Sequence, residues 1–168
     1  ISKNAFRNFQ LVSGDDIKYW YLESNYCDSF RGSLHSSCMR YDSCQEYFDI
    51  YIKNPGVCRL LINMSDFNPS KISGRALVWK LENGDTYMDR VYYSNQHDVD
   101  VFNEYARSMG WVYIDHRGRF TLKGDLYIKL ISVQLEKYKF DLYPYLDSIP
   151  FLGTNGVLSS DQSYSLDK

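Results

Sequence analysis

The segment Gly32-Ser33-Leu34-His35-Ser36-Ser37-Cys38-Met39-Arg40 carries the residue types closest to a reactive site. It is small and polar, and it runs into a stretch of helical periodicity, where a thiolate gains from the helix dipole. Cys38 is therefore a candidate nucleophile. Such a nucleophile needs a base within about 3 Å, and either the nearby His35 or His97 from elsewhere in the fold could supply one. The commoner role of a cysteine at a helix start is to pack as a small apolar group. The same segment suits a second chemistry. Backbone N–H groups at a helix start, together with Arg31 and Arg40, can hold an anion such as phosphate or carboxylate, with Ser33 and Ser37 adding hydroxyls to that binding set.

Two further groups point to recognition. Asp89 and Arg90 lie within the apolar run 87–93, and neighbours on a strand face opposite sides, so one of the two charges must meet a partner in a cleft or interface unless the strand is an edge. Glu82 and Asp85 flank an Asn-Gly turn and read as solvated turn residues rather than a paired-carboxylate or metal site. In the stretch 143–152 the prolines preset φ, and Tyr145 and Asp147 belong to a rigid aromatic segment that wraps the core or lines a peptide or ligand groove. Arg117, Arg119, Lys123 and Lys129, interleaved with Trp111, Tyr113, Phe120 and Tyr127, could stack bases and pair with phosphates. A solvated basic hairpin is the simpler expectation there.

Four cysteines, at 27, 38, 44 and 58, are separated by ten, five and thirteen residues. These spacings contain no paired metal knuckle, so reduced thiols and no metal site are expected.

The elements that would position these residues follow from periodicity. A helix capped by Gly14-Asp15-Asp16 is expected over 17–24, with Ile17, Trp20 and Tyr21 on one face. A second is expected over 42–53, with Asp42 and Gln45 as a capping box and Cys44 on the apolar stripe; Asn54-Pro55-Gly56 ends it. A buried strand follows over 57–64. Strands over 75–81 and 86–93 join through Asn83-Gly84, the signature of a type I′ hairpin. A third helix starts at Asp98, buries Val101, Phe102, Tyr105, Ala106 and Met109, and closes at Gly110. Strands are expected over 111–114 and 126–136, the latter central because both of its faces are apolar. The fold class is α+β: a mostly antiparallel twisted sheet with two N-terminal helices and one central helix packed on it. A single domain over 1–158 and a polar tail over 159–168 are expected.

The chain has 168 residues, a net charge of −2 and 44% apolar residues. Those values fit one domain with a full core and remove the strong field that drives non-specific binding to DNA or anionic membranes. Sixteen tyrosines suit half-buried sheets and interfaces. No apolar run reaches the ~18 residues that cross a bilayer. The sequence begins at Ile1 rather than Met, which leaves an upstream segment open.

The order helix, helix, strand, hairpin, helix, strand over 17–115 is similar to the central part of the GNAT-type acetyltransferase fold. That resemblance implies a loop whose amides hold the coenzyme A pyrophosphate, yet the matching stretch 94–100 has no glycine and carries Asp98 and Asp100. Separately, Gly32-Ser33-Leu34 with Ser37-Cys38-Met39-Arg40-Tyr41, Gly74-Arg75-Ala76-Leu77-Val78-Trp79, Met88-Asp89-Arg90-Val91-Tyr92 and Tyr143-Pro144-Tyr145-Leu146-Asp147-Ser148 resemble segments of uncharacterised tailed-bacteriophage proteins. The resemblance implies an accessory or virion-associated protein of the host bacterial cytoplasm or the virion. The sequence reading is thus a binding protein without catalytic activity that engages a host or phage protein, or nucleic acid, away from membranes. The alternatives are a GNAT-like acyl or group transferase, which needs a nucleotide-sized cleft between 86–93 and 111–114, and a thiol-dependent hydrolase built on Cys38. No motif specifies a cofactor or an oligomeric state.

Overall fold

A computed structural model describes residues 3–27, 32–136 and 146–164. The chain is α+β, with two antiparallel sheets and three α-helices among the described residues. The main sheet runs β1 (Phe9–Val12), β2 (Cys58–Met64), β3 (Ile72–Lys80) and β4 (Thr86–Met88), with β5 (Tyr92–Tyr93) also pairing with β3. The second sheet has β8 (Val157–Ser159) between β6 (Tyr127–Lys129) and β7 (Phe151–Leu152).

β2 and β3 alternate two apolar sets because both faces of the main sheet are covered. Leu60, Ile62, Leu77 and Trp79 pack on one side with α1 (Asp16–Tyr21), α2 (Asp49–Ile52) and residues of the second sheet. Leu61, Ala76, Val78 and Met88 pack on the other with α3 (His97–Ser108). α3 buries Val101, Phe102 and Ala106, whereas Met109, expected on that face, is exposed beyond the helix end. Gly74 lets Phe102 lie against the strand, since a Cβ there would stand 2.9 Å from Phe102 Cε1.

Several expected elements are shorter than their patterns. The run 42–53 forms a 3-10 segment, Asp42–Phe48, before one α turn, and its cap falls on Tyr41 with no side-chain cap bond. Asp42, Ser43 and Cys44 are weak helix formers, so packing sets the conformation. The hairpin closes with Gly84 N–H on Leu81 O (3.0 Å) and Leu81 N–H on Asp85 O (2.8 Å). That is a three-residue connection with Gly84 left-handed (φ 94°), rather than the two-residue type I′ turn.

The strand expected over 86–93 breaks at residues 89–91, where the Asp89 carboxylate takes the Arg90 N–H at 2.7 Å and competes with the ladder. The long strand over 126–136 ends at Lys129 and is an edge, not central. Buried Asn54 captures the chain beyond it: its Oδ1 accepts from Ile131 N and Ser132 N, and its Nδ2 donates to Ser132 O. Over 111–114 only Val112 and Ile114 make single bridges, Val112 parallel to Tyr87. The polar tail expected from Ser159 begins inside β8, and its Asp161 accepts from the Tyr127 hydroxyl at 3.1 Å. Among the described residues, no helix is long and apolar enough to cross a membrane.

Candidate functional site

β3 carries Arg75 on the same face as Leu77 and Trp79, which puts a guanidinium into the core at 1% exposure. Its hydrogen bonds run from Nη2, to Ser37 Oγ at 2.9 Å and Tyr26 Oη at 3.3 Å. Its Nε–H has no acceptor among the described residues. The guanidinium carbon lies 3.8 Å from the Tyr21 ring centre and 4.7 Å from that of Tyr92. Among the described residues no carboxylate stands within ion-pair distance of it. Aromatic faces and hydroxyls thus hold a buried full charge with no counter-ion among the described residues, an arrangement that costs several kcal/mol unless an anion completes it.

Arg75 borders a cavity of about 30 Å³, lined also by Ser37, Met39, Tyr51, Leu77, Asp89, Arg90, Leu146 and Asp147. One wall is a hydroxyl and carboxylate network. Asp89, 6% exposed, accepts from Ser148 Oγ (2.5 Å), Tyr87 Oη (3.2 Å) and the Arg90 N–H. Burial raises its pKa, and the hydrogen bond from Ser148 pulls it partly back. At the solvent edge, Arg90 Nη1 lies 3.6 Å from Asp147 Oδ1, with the Arg90 side chain 55% exposed. Tyr92 donates to the other oxygen of Asp147. Burial, and then the bond to Asp147, push the Tyr92 hydroxyl above its ordinary pKa, so the ring stays neutral beside Arg75.

The structure therefore gathers Ser37, Asp89, Arg90 and Asp147 around one cavity and disperses the other expected site residues. Ser33 Oγ accepts the Tyr93 N–H at 3.0 Å, a structural contact. Arg40 pairs with Glu23 at 3.3 Å, caps the Ser37 carbonyl and covers the Tyr41 ring. Arg31 and Tyr145 lie outside the described residues. Cys38 is exposed, and a 3-10 turn, Leu34–Ser36, precedes it. His35 Nε2 stands 2.9 Å from the Cys27 carbonyl, and its ring meets the edge of Tyr26. His97 belongs to a separate cleft of about 520 Å³ with Cys27, Ser94 and Asp98.

The aromatic rings of the basic hairpin are used in packing: Phe120 stands edge-on to Tyr87 at 5.5 Å and Tyr127 meets Tyr164 at 5.3 Å. Between 86–93 and 111–114 the backbone is joined, since Val112 N–H donates to Thr86 O and its carbonyl accepts from Met88 N, both at 2.8 Å. In the turn 94–100, His97 N–H is taken by Asn95 Oδ1 and Asn95 N–H by Asp98 Oδ2.

Arg75, Tyr21 and Tyr92 went unnoticed in the sequence as site residues. The signal was present, because a period-two reading of 75, 77 and 79 puts the charge of Arg75 on a face otherwise formed by Leu77 and Trp79. No family, curated protein or solved structure matches the chain.

Proposed function

We propose that this chain is a binding protein without catalytic activity, an accessory protein of the phage-encoded kind, which takes an anionic group of a protein partner at the Arg75 cavity. One observation carries this reading: a fully buried guanidinium bordering a cavity, with no carboxylate within ion-pair distance of it among the described residues. A core with no other purpose gains nothing from such a charge, since an apolar side chain of similar volume is as stable or more so.

The test compares immobilised wild-type chain with the Arg75→Met variant in bacterial lysate, followed by elution with excess sodium acetate at fixed ionic strength. The proposal expects a partner that the wild type retains, the variant loses and acetate releases. Equal retention by both proteins, each shown to be folded, would overturn it.

A further inference from the structure

Resting on that reading of the Arg75 cavity, we infer that the group it accepts is a single carboxylate on a short aliphatic carbon, and not a phosphate. Three features of the cavity select this chemistry. The first is the donor set. Nη2 is spent on Tyr26 and Ser37, and the Nε–H has no acceptor among the described residues, so one in-plane N–H of the guanidinium is left for a carboxylate oxygen to meet.

The second is size. A cavity of about 30 Å³ exceeds the roughly 10–15 Å³ that one water needs by a factor of about two. Two carboxylate oxygens fit within that allowance.

The third is charge. Asp89 and Asp147 line the same cavity as Arg75. One negative charge on the ligand neutralises Arg75, whereas the further charge that a phosphate monoester carries near neutral pH would face both carboxyl groups, with the other lining cation, Arg90, already paired with Asp147. The remaining walls agree. Met39, Leu77 and Leu146 are apolar and suit the carbon that bears the carboxylate. Such a group could come from a partner's C-terminus, from one of its acidic side chains or from a small free acid.

The Arg75 Nε–H offers a direct probe, since an orphaned N–H that gains an anionic acceptor shifts its proton resonance downfield. Full-length 15N-labelled protein is titrated with sodium acetate, propionate, phosphate and chloride at constant ionic strength, with the Nε–H signal assigned by its absence in Arg75→Lys. The expected result is a saturable downfield shift with acetate and propionate, and binding of phosphate at least tenfold weaker. Tighter binding of phosphate would overturn the carboxylate inference while leaving anion binding intact. No saturable shift with any anion would overturn both. Short peptides ending in a free carboxylate or an amide, with and without an internal Glu, then distinguish the sources: loss on amidation assigns a C-terminus, dependence on Glu assigns a side chain, and binding of only the free acids assigns a small molecule.

Discussion

Replacing Ser37 with Ala tests how the buried charge is held. Ser37 is 5% exposed, and its Oγ accepts from Arg75 Nη2 at 2.9 Å and from Met39 N at 3.3 Å. A hydrogen bond to a charged group is worth roughly 1.5–3 kcal/mol and a neutral one about 1 kcal/mol, so Ser37→Ala should cost about 3 kcal/mol. At roughly 2–4 °C per kcal/mol for a chain of this length, Tm should fall by about 6–12 °C. With Arg75→Met in the background, only the bond from the Met39 amide remains to be lost, and the same change should cost about 1 kcal/mol. The coupling of about 2 kcal/mol is well above the ~0.5 kcal/mol within which independent sites add. Urea unfolding of the four proteins measures it, provided the m-values agree. Equal costs of Ser37→Ala in both backgrounds would show that Ser37 does not hold the guanidinium, and the account of the cavity would fail at its first contact.

The Asp89 carboxyl, raised by burial, keeps its proton more tightly in the folded chain than in the unfolded one, where Asp titrates near pH 3.9. The contribution of Asp89 to stability is therefore fully present below the unfolded value and is lost as pH rises through the folded one, by at most about 1.4 kcal/mol per pH unit. Asp98, also raised by burial, adds to that slope, so Asp89→Asn should flatten part of it in denaturation curves between pH 4 and 7; parallel profiles would contradict this. Gly74→Ala drives a Cβ to 2.9 Å from Phe102 Cε1 and 3.3 Å from Tyr92 O, and should lower stability by about 1–3 kcal/mol in the same unfolding assay. Under native conditions a maleimide should label exposed Cys38 well before Cys58, which is fully buried with its thiol pushed up by burial; peptide mass spectrometry reads the order.

The parts of the fold legible in the sequence were those with strong local periodicity. The face Val101, Phe102 and Ala106, the closing Gly110 and the apolar run of β2 all follow from spacing alone. What spacing missed was decided by single polar side chains reaching across the chain. Asn54, the expected end of a helix, also ends β6 by capturing residues 131 and 132, and Asp89 breaks a strand to meet Ser148. Such contacts join residues far apart in sequence and leave no periodic trace. The candidate site divided in the same way. Asp89 and Arg90 stood out as charges in an apolar run, and Ser37 as part of a polar segment. Arg75 blended into a hairpin strand although its face gave it away, and its cage of Tyr21, Tyr26 and Tyr92 draws on positions far from it or beyond the break in the expected strand.

The pairing of β1 bears on how the chain folds as it leaves the ribosome. Phe9 finds its partner at Asn63 and Val12 at Leu60, so this first strand emerges long before the strand it must join. β2 and β3 are near neighbours in sequence and can pair as soon as both are out, giving β1 a template to dock against. Until then Phe9 and Leu11 are exposed on an unpaired strand, so the interval before β3 is complete is the one in which this strand is most open to aggregation.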